Sequence, residues 1–179
     1  SSFLSLEKQL RSKNYRGFSI EGHEHIDRIK RMVKKSLLNK WLYANSIHTV
    51  NLIDYFSLSK KFKLETFTNN FFYDKNISCI TKSDDNILGS YISNWKSNES
   101  WTVRLFFNGY TIIFKPLEMT PHYYINKKKF NVKLSKFDQE FKPGLHNQIL
   151  SFLNLIKKKK NSWPDENINS IIKTYKILD

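Results

Sequence analysis

The stretch SWTVRLFFNGYTIIFKPLE, residues 100–118, contains two runs of β-branched and aromatic residues separated by Asn108 and Gly109. Runs of this composition favour β-strands, because branched and flat side chains pack well on a pleated surface. Asn-Gly between two such runs is the strongest short-range signal for a hairpin turn. The stretch therefore predicts two antiparallel strands joined by a tight turn.

The same pattern continues on both sides of this hairpin. The runs FKLETFTNNFFY (62–73), ISCITKS (77–83) and ILGSYISNWKS (87–97) precede it, and PHYYINKKKFNVKL (121–134) follows it with a Lys-rich tip. Asp84, Asp85 and Asn86 mark one further turn. Short connections allow antiparallel pairing, whereas parallel strands need long crossovers. We therefore predict one open antiparallel meander of five or more strands.

Apolar residues at helical spacing occur on both sides of the predicted sheet. Residues 2–12, 24–35 and 41–56 precede it, with the short strand RGFSI after the first helix and a polar link at 36–40 before the third. Two helices follow. The first has Leu145, Ile149, Phe152, Leu153 and Ile156 on one face, and the second starts at Asp165 with a buried stripe of Ile168, Ile171, Ile172 and Tyr175. The order predicts a single α+β domain over residues 1–179, with helices covering one sheet face.

The other sheet face is predicted to be rich in aromatic residues. Its members are Phe71, Tyr73, Tyr91, Trp95 and Phe107. A contiguous exposed apolar patch usually marks an interface. We therefore expect the chain to form a homo-oligomer through this face.

The third helix, WLYANSIHTVNLIDYF (41–56), is apolar on nearly all sides but carries Asn45, His48 and Asn51 three residues apart. This spacing keeps the three side chains on one stripe of the helix. A buried polar group must find a partner, because leaving it without one costs about 1–3 kcal/mol. The residues alone allow two interpretations of His48: a hydrogen-bonded core histidine, or a functional group.

Composition excludes several classes of protein. The only cysteine is Cys79, so the chain has neither a disulfide scaffold nor a cysteine-based zinc site. No apolar run approaches the roughly 18 residues of a membrane span, and the opening residues lack the order of a secretory signal. We expect a cytoplasmic protein without a membrane-spanning segment.

The net charge of +14 invites a nucleic-acid interpretation. Most of the excess comes from Lys, however, and Arg is the residue that binds phosphate and guanine in a bidentate way. The clusters at 28–35, 127–129 and 157–160 are explained by solvated surfaces and, for the last, by a helix C-terminus. A basic nucleic-acid-binding module remains an alternative that the composition disfavours.

Motifs for self-sufficient catalysis are absent from the sequence. It contains neither GxGxxG nor GxxxxGK[ST], so no glycine-rich phosphate-binding loop is predicted. His23 and His25 lack a third ligand nearby, and no metal site is predicted. His122 and His146 lie beside a turn and a helix start, where capping or hydrogen bonding explains them.

Three segments together resemble a known family. LYANSIHTVNLIDYF (42–56) resembles the histidine-bearing helix of the Gfo/Idh/MocA oxidoreductases, the glucose–fructose oxidoreductase and inositol dehydrogenase family. Residues 89–118 are similar to strands of the family's open, mostly antiparallel C-terminal sheet, and residues 141–178 to its closing pair of helices. The branch it most resembles carries W-M-[FY]-A-N-S-I-H and occurs in surface-polysaccharide sugar pathways.

The resemblance implies roles for residues on and near this helix. His48 would be the catalytic histidine, which hydrogen-bonds the reacting hydroxyl and relays its proton; histidine suits this task because it changes charge near neutral pH. Trp41, Asn45, Lys142 and His146 would bind the substrate. Two positions depart from the family pattern: Ala44 and Asn51 stand where it usually has Asp.

The resemblance also implies a longer protein. Family members bind NAD or NADP on an N-terminal Rossmann domain, whose Glu-Lys-Pro supplies a lysine that we expect to be the principal acid–base group. This sequence lacks that motif, so we expect residues 1–179 to be the C-terminal, substrate-side domain of a dehydrogenase acting on a sugar or nucleotide sugar, with no cofactor bound to this domain alone. A non-catalytic interaction module remains the other alternative.

Overall fold

The computed structural model describes residues 7–38, 40–58, 62–69, 76–117, 121–131, 136–140 and 145–157, together with Ile172 and Tyr175. Several predictions fall outside these residues. They concern Phe71 and Tyr73 on the sheet, Lys142 in the substrate site, and most of the final helix from Asp165.

A single eight-stranded sheet forms the centre of the fold, with strand order β2-β3-β4-β1-β5-β6-β7-β8. The strands are β1 Tyr15–Glu21, β2 Phe62–Asn69, β3 Asn76–Ser83, β4 Leu88–Asn94, β5 Thr102–Phe107, β6 Tyr110–Phe114, β7 His122–Ile125 and β8 Lys128–Asn131. The predicted α+β class with an open, mostly antiparallel sheet is confirmed.

The predicted uninterrupted meander is wrong at one point. Strand β1 lies in the middle of the sheet, parallel to β4 and antiparallel to β5. Ser19, for example, is paired with Ser90 on one side and with Arg104 on the other. A parallel pair needs a long crossover, and the segment between β1 and β2 supplies one because it contains several helices.

The predicted hairpin turns are confirmed. Asn108 and Gly109 join β5 to β6, and Gly109 has a φ of +84°, which glycine adopts without strain. The β3–β4 turn has Asn86 at a φ of 59°. In the β7–β8 turn, Asn126 and Lys127 both have positive φ, as the tight turns that suit strand twist require.

Seven helical segments accompany the sheet within the described residues. They are α1 Glu7–Leu10, α2 Ile26–Met32, α3 Lys35–Leu38, a π-helical turn at Leu42–Ser46, α4 Ile47–Ser57, α5 Lys136–Glu140 and α6 Leu145–Ile156. Helix α3 lies where the sequence predicts a polar link, and α5 was not predicted. Both are too short to show an apolar repeat.

Helix α4 packs across β1 and β4 and builds the core with them. Val50, Ile53 and Phe56 are at most 1% exposed. The hydroxyl of Tyr15 on β1 donates to the carbonyl of Phe56 at 3.0 Å, which ties the end of the helix to the sheet. The core therefore holds α4 rigidly against the central strands.

The predicted aromatic open face is wrong for the members that the structure describes. Tyr91, Trp95 and Phe107 are 2%, 1% and 6% exposed, and the Tyr91 hydroxyl lies 3.2 Å from Thr49 Oγ1 on α4. These rings are therefore core residues. The exposed apolar residues of β3, β4 and β5 are instead Ile80, Leu88, Ile92 and Phe106. Strand side chains alternate between faces, so an aromatic-rich run does not reveal which set turns inward.

The C-terminal apolar stripes are also more exposed than predicted. The α6 residues Leu145, Ile149, Phe152, Leu153 and Ile156 form a face that is exposed, and Ile172 and Tyr175 are exposed as well. Amphipathic spacing identifies the apolar face of a helix but does not say what covers it.

Candidate functional site

The segment 41–57 has one buried side and one accessible side, although its sequence is apolar nearly all round. Ser46, Thr49 and Val50 face the core, whereas Trp41 and Asn45 are half-buried and His48 is exposed. Among the described residues, His48 makes no hydrogen bond, ion pair or ring contact. This placement contradicts the interpretation of His48 as a hydrogen-bonded core histidine and leaves its imidazole accessible to a ligand.

A π-helical turn, Leu42–Ser46, starts this segment. The amide of Ile47 bonds to the carbonyl of Leu42, five residues earlier, before α4 continues with ordinary spacing. Such turns are rare in proteins, but those that occur are often found at functional sites. Here Asn45 and Ser46, although adjacent, both reach the same carboxylate.

That carboxylate belongs to Glu24, in the connection between β1 and α2. Its Oε1 accepts hydrogen bonds from Asn45 Nδ2 at 2.8 Å and from Ser46 Oγ at 3.3 Å. The amide of Glu24 donates to the carbonyl of Asn94 at the end of β4, which anchors the connection to the sheet. Only 9% of Glu24 is exposed.

Burial raises the pKa of Glu24 above its ordinary value, because desolvation disfavours the charged form. The hydrogen bonds from Asn45 and Ser46 act in the opposite direction without cancelling this effect. The indoles of Trp41 and Trp101 also lower the pKa of Glu24. Trp41 Nε1 is nevertheless too far from ideal distance or angle to count as a hydrogen-bond donor. A buried carboxylate with a perturbed pKa beside accessible polar groups is typical of functional sites.

We expect Glu24 to make the domain less stable as the pH rises. Because its folded-state pKa is raised, its contribution is fully present below the unfolded value of about 4.3 and is lost as the pH rises through the folded pKa. Glu24→Gln keeps an acceptor oxygen without the charge. Thermal melts of parent and variant should show the parent losing stability relative to the variant as the pH rises above about 4, the ordinary carboxyl pKa.

Glu99 provides a control of opposite sign. Its hydrogen bond from Lys115 Nζ, at 2.7 Å, lowers its pKa, so any stabilisation from it is present above the unfolded pKa and lost as the pH falls through the folded one. Glu99→Gln should therefore show the reverse trend, and a small one, because Glu99 is exposed. A parent-minus-variant difference for Glu24 that does not change with pH would contradict the expectation.

Other polar groups near this end of the sheet have structural partners. His23 Nδ1 accepts from the amide of Asn94 at 3.1 Å, and His25 Nδ1 accepts from the amide of Arg28 at the start of α2. The Glu21 carboxylate pairs with Arg104 on β5. Within the part of the chain that the structure describes, no group of three or more His, Cys, Asp or Glu side chains is placed to hold a metal ion.

The structure thus brings together three of the five predicted site residues. Trp41, Asn45 and His48 lie on one side of a single helical segment. His146 lies on α6, where its ring stacks on Phe137 with centroids 4.1 Å apart, and among the described residues no hydrogen bond or ring contact joins it to the other three. Lys142 lies outside the described residues.

Sequence reasoning missed Glu24. It stands between two histidines in a connection without apolar periodicity, and nothing in that pattern sets it apart from an exposed loop residue. Its partner Asn45 follows 21 positions later in the chain. An amide on a largely apolar helix does signal a buried partner, but only the fold identifies that partner.

Comparison with solved structures defines the class of fold: it is that of the Gfo/Idh/MocA-type dehydrogenases over part of their length. A dehydrogenase (MviM) from Clostridium difficile superposes with a TM-score of 0.73 at 14% identity, covering 99% of this chain and 57% of its own. UDP-N-acetylglucosamine 3-dehydrogenase GnnA from Acidithiobacillus ferrooxidans gives 0.64 at 16% identity, covering 97% and 53%. A levoglucosan dehydrogenase in complex with NADH and levoglucosan gives 0.60 at 10% identity, covering 97% and 57%.

The family resemblance seen in the sequence is therefore confirmed at the level of the fold. The chain spans somewhat more than half the length of these dehydrogenases. No family model and no curated protein matches the sequence. None of the helices in the described ranges is both long and apolar enough to cross a lipid bilayer.

Proposed function

We propose that the chain is the substrate-side domain of an NAD(P)-dependent dehydrogenase that oxidises or reduces a hydroxyl of a sugar or nucleotide sugar. The observation that carries the proposal is the exposed His48 beside the half-buried Asn45 and Trp41, on one helix of a fold shared with dehydrogenases of sugars and nucleotide sugars. This accessible stripe is the wall of the substrate pocket. The comparisons do not favour a nucleic-acid-binding module.

His48 hydrogen-bonds the reacting hydroxyl, and Trp41 and Asn45 hold the sugar beside it. Proton transfer falls chiefly to a lysine of the N-terminal domain, with His48 orienting the hydroxyl. Lys142 and His146 stay predictions as substrate-binding residues.

NAD or NADP is the cofactor proposed for the intact protein. A dinucleotide needs a glycine-rich turn against which its phosphates can lie, and this sequence contains no such motif. We therefore assign the cofactor to a Rossmann domain of the longer protein. When bound there, the nicotinamide supplies the hydride chemistry. A cytoplasmic location likewise stays a prediction from the sequence.

The decisive experiment has two arms. In the first, the 179-residue chain is titrated with UDP-N-acetylglucosamine and with levoglucosan, while the Trp41 indole, Asn45 amide and His48 ring signals are followed by NMR. In the second, the longer protein is assayed for reduced nicotinamide with the same compounds and a panel of related sugars. Sugar-dependent shifts at these residues, or turnover that depends on His48, support the proposal. Absence of both across the panel overturns it.

We also propose that the chain forms a homo-oligomer through the open sheet face, with Ile80, Leu88 and Ile92 at the centre of the contact. Leu88 and Ile92 lie on the same face of β4 and are 56% and 49% exposed. Replacing both Leu88 and Ile92 with Lys would bury charge in the interface. We therefore expect the double variant to be monomeric at concentrations at which the parent self-associates. Sedimentation equilibrium measures the difference.

The matched control is Met32→Lys at the end of α2, which is 70% exposed and distant from β4 in the sequence. It should leave association unchanged. A parent that stays monomeric at high concentration, or a double variant that associates as the parent does, would show that this face is not the interface.

A further inference from the structure

The amide of Asn45 can be held in two orientations that differ in what they offer a ligand. A side-chain amide has two N–H donors on nitrogen and one acceptor oxygen, whereas an ionised carboxylate can only accept. Asn45 Nδ2 donates to Glu24 Oε1 at 2.8 Å, and Ser46 Oγ donates to the same oxygen. In its ionised form, Glu24 therefore selects the orientation with the nitrogen turned inward.

The oxygen of the same amide is left for another partner. Among the described residues, no group donates a hydrogen bond to Asn45 Oδ1, and this oxygen is not one of the buried polar atoms that lack a partner. Because a buried oxygen without a partner would be among those atoms, Asn45 Oδ1 is accessible. The site thus presents an acceptor close to His48 along the helix.

We propose that Glu24 is a positioning residue that fixes Asn45 with its carbonyl oxygen towards the substrate, so that the site selects a ligand that donates a hydrogen bond there. This inference rests on the proposed function for the identity of the ligand, a sugar hydroxyl. The orientation of Asn45 itself depends only on the contacts within the domain.

The chemistry of the ligand gives this orientation a consequence. A hydroxyl both donates and accepts, whereas the ketone formed by its oxidation only accepts. An acceptor at Asn45 Oδ1 therefore binds a sugar hydroxyl and rejects a carbonyl at the same position, because two facing acceptors leave both without a partner. The opposite amide orientation would tolerate either group.

A glutamine at position 24 could not fix the orientation of the Asn45 amide, even though it would match the shape of Glu24. Its own amide can accept from Asn45 Nδ2 or donate to Asn45 Oδ1, so both orientations of Asn45 would be satisfied. Burial disfavours the charge of Glu24, which makes a carboxylate here more costly than an amide. A carboxylate is thus the group that fixes the orientation, at some cost in stability.

The test follows the side-chain NH₂ signals of Asn45 in the 179-residue chain, assigned by their loss in Asn45→Asp. In the parent, one proton should be shifted downfield and protected from exchange, because it donates to a buried carboxylate. In Glu24→Gln that shift and protection should fall, or two sets of signals should appear. Glu24→Asp, which keeps an acceptor-only group, should retain a single set.

The matched control is Glu21→Gln, three residues earlier, whose carboxylate pairs with Arg104 and not with Asn45. It should leave the Asn45 signals unchanged. If Glu24→Gln fails to fold, titration of the parent replaces it: the Asn45 signals should change in one step with a midpoint above the ordinary carboxyl pKa. Asn45 signals that ignore both the substitution and the titration would overturn the proposal.

Kinetics of the intact enzyme separate this inference from the proposed function. Glu24→Gln should raise KM for the hydroxyl form of the sugar by about 2- to 10-fold, the effect of losing one hydrogen bond. The kcat should stay nearly unchanged. A parent without any sugar turnover would overturn the proposed function, while the NMR result would still decide the orientation of Asn45. Normal KM together with disordered Asn45 signals would overturn the selection of a donor.

Discussion

In the proposed dehydrogenase, His48→Ala is expected to lower turnover by about 10²–10⁴-fold, the usual range for a side chain that takes part in acid–base catalysis. The imidazole is exposed and has no partner among the described residues, so its removal strands no buried group and opens no cavity. Steady-state kinetics measure the loss in turnover. Melting of the 179-residue chain should change little.

His48→Gln divides the effect between orientation and proton relay. Glutamine can hydrogen-bond a hydroxyl but cannot take up a proton at neutral pH. If His48 mainly orients the hydroxyl, as we propose, glutamine should restore much of the turnover that alanine loses. Equal loss in both variants would identify His48 as the proton relay. Unchanged turnover in His48→Ala would remove it from the active site.

Phe56→Ala is expected to destabilise the domain by about 3–5 kcal/mol, the range for deleting a buried aromatic side chain. Phe56 is fully buried at the end of α4, with its ring centroid 6.0 Å from that of Phe18 and 5.1 Å from that of Tyr55. Its loss opens a cavity between α4 and β1. Urea unfolding followed by fluorescence measures the change in the free energy of unfolding.

Phe152→Ala on α6 is the matched control, because it deletes the same side chain at a position that is 62% exposed. Its free energy of unfolding should stay within about 0.5 kcal/mol of the parent's. Similar losses in the two variants would contradict the assignment of Phe56 to the core. A small loss in Phe56→Ala alone would show that the site can collapse around the missing ring.

Local sequence patterns were sufficient to predict most of the elements. The Asn108–Gly109 turn, the strands beside it and helix α6 follow from backbone preferences and side-chain periodicity, which act over a few neighbouring residues. The order of these elements was also sufficient for the α+β class. The family resemblance, which rests on three segments, predicted the fold of the dehydrogenase C-terminal domains.

Tertiary structure decided which face of each element is buried and which residues meet. It placed β1 in the middle of the sheet, turned Tyr91 and Trp95 inward, and left the stripe of His48 accessible. It also joined Glu24 to Asn45, a contact between residues 21 positions apart. Periodicity repeats within one element and carries no information about its partner, so contacts between distant residues depend on how the elements pack.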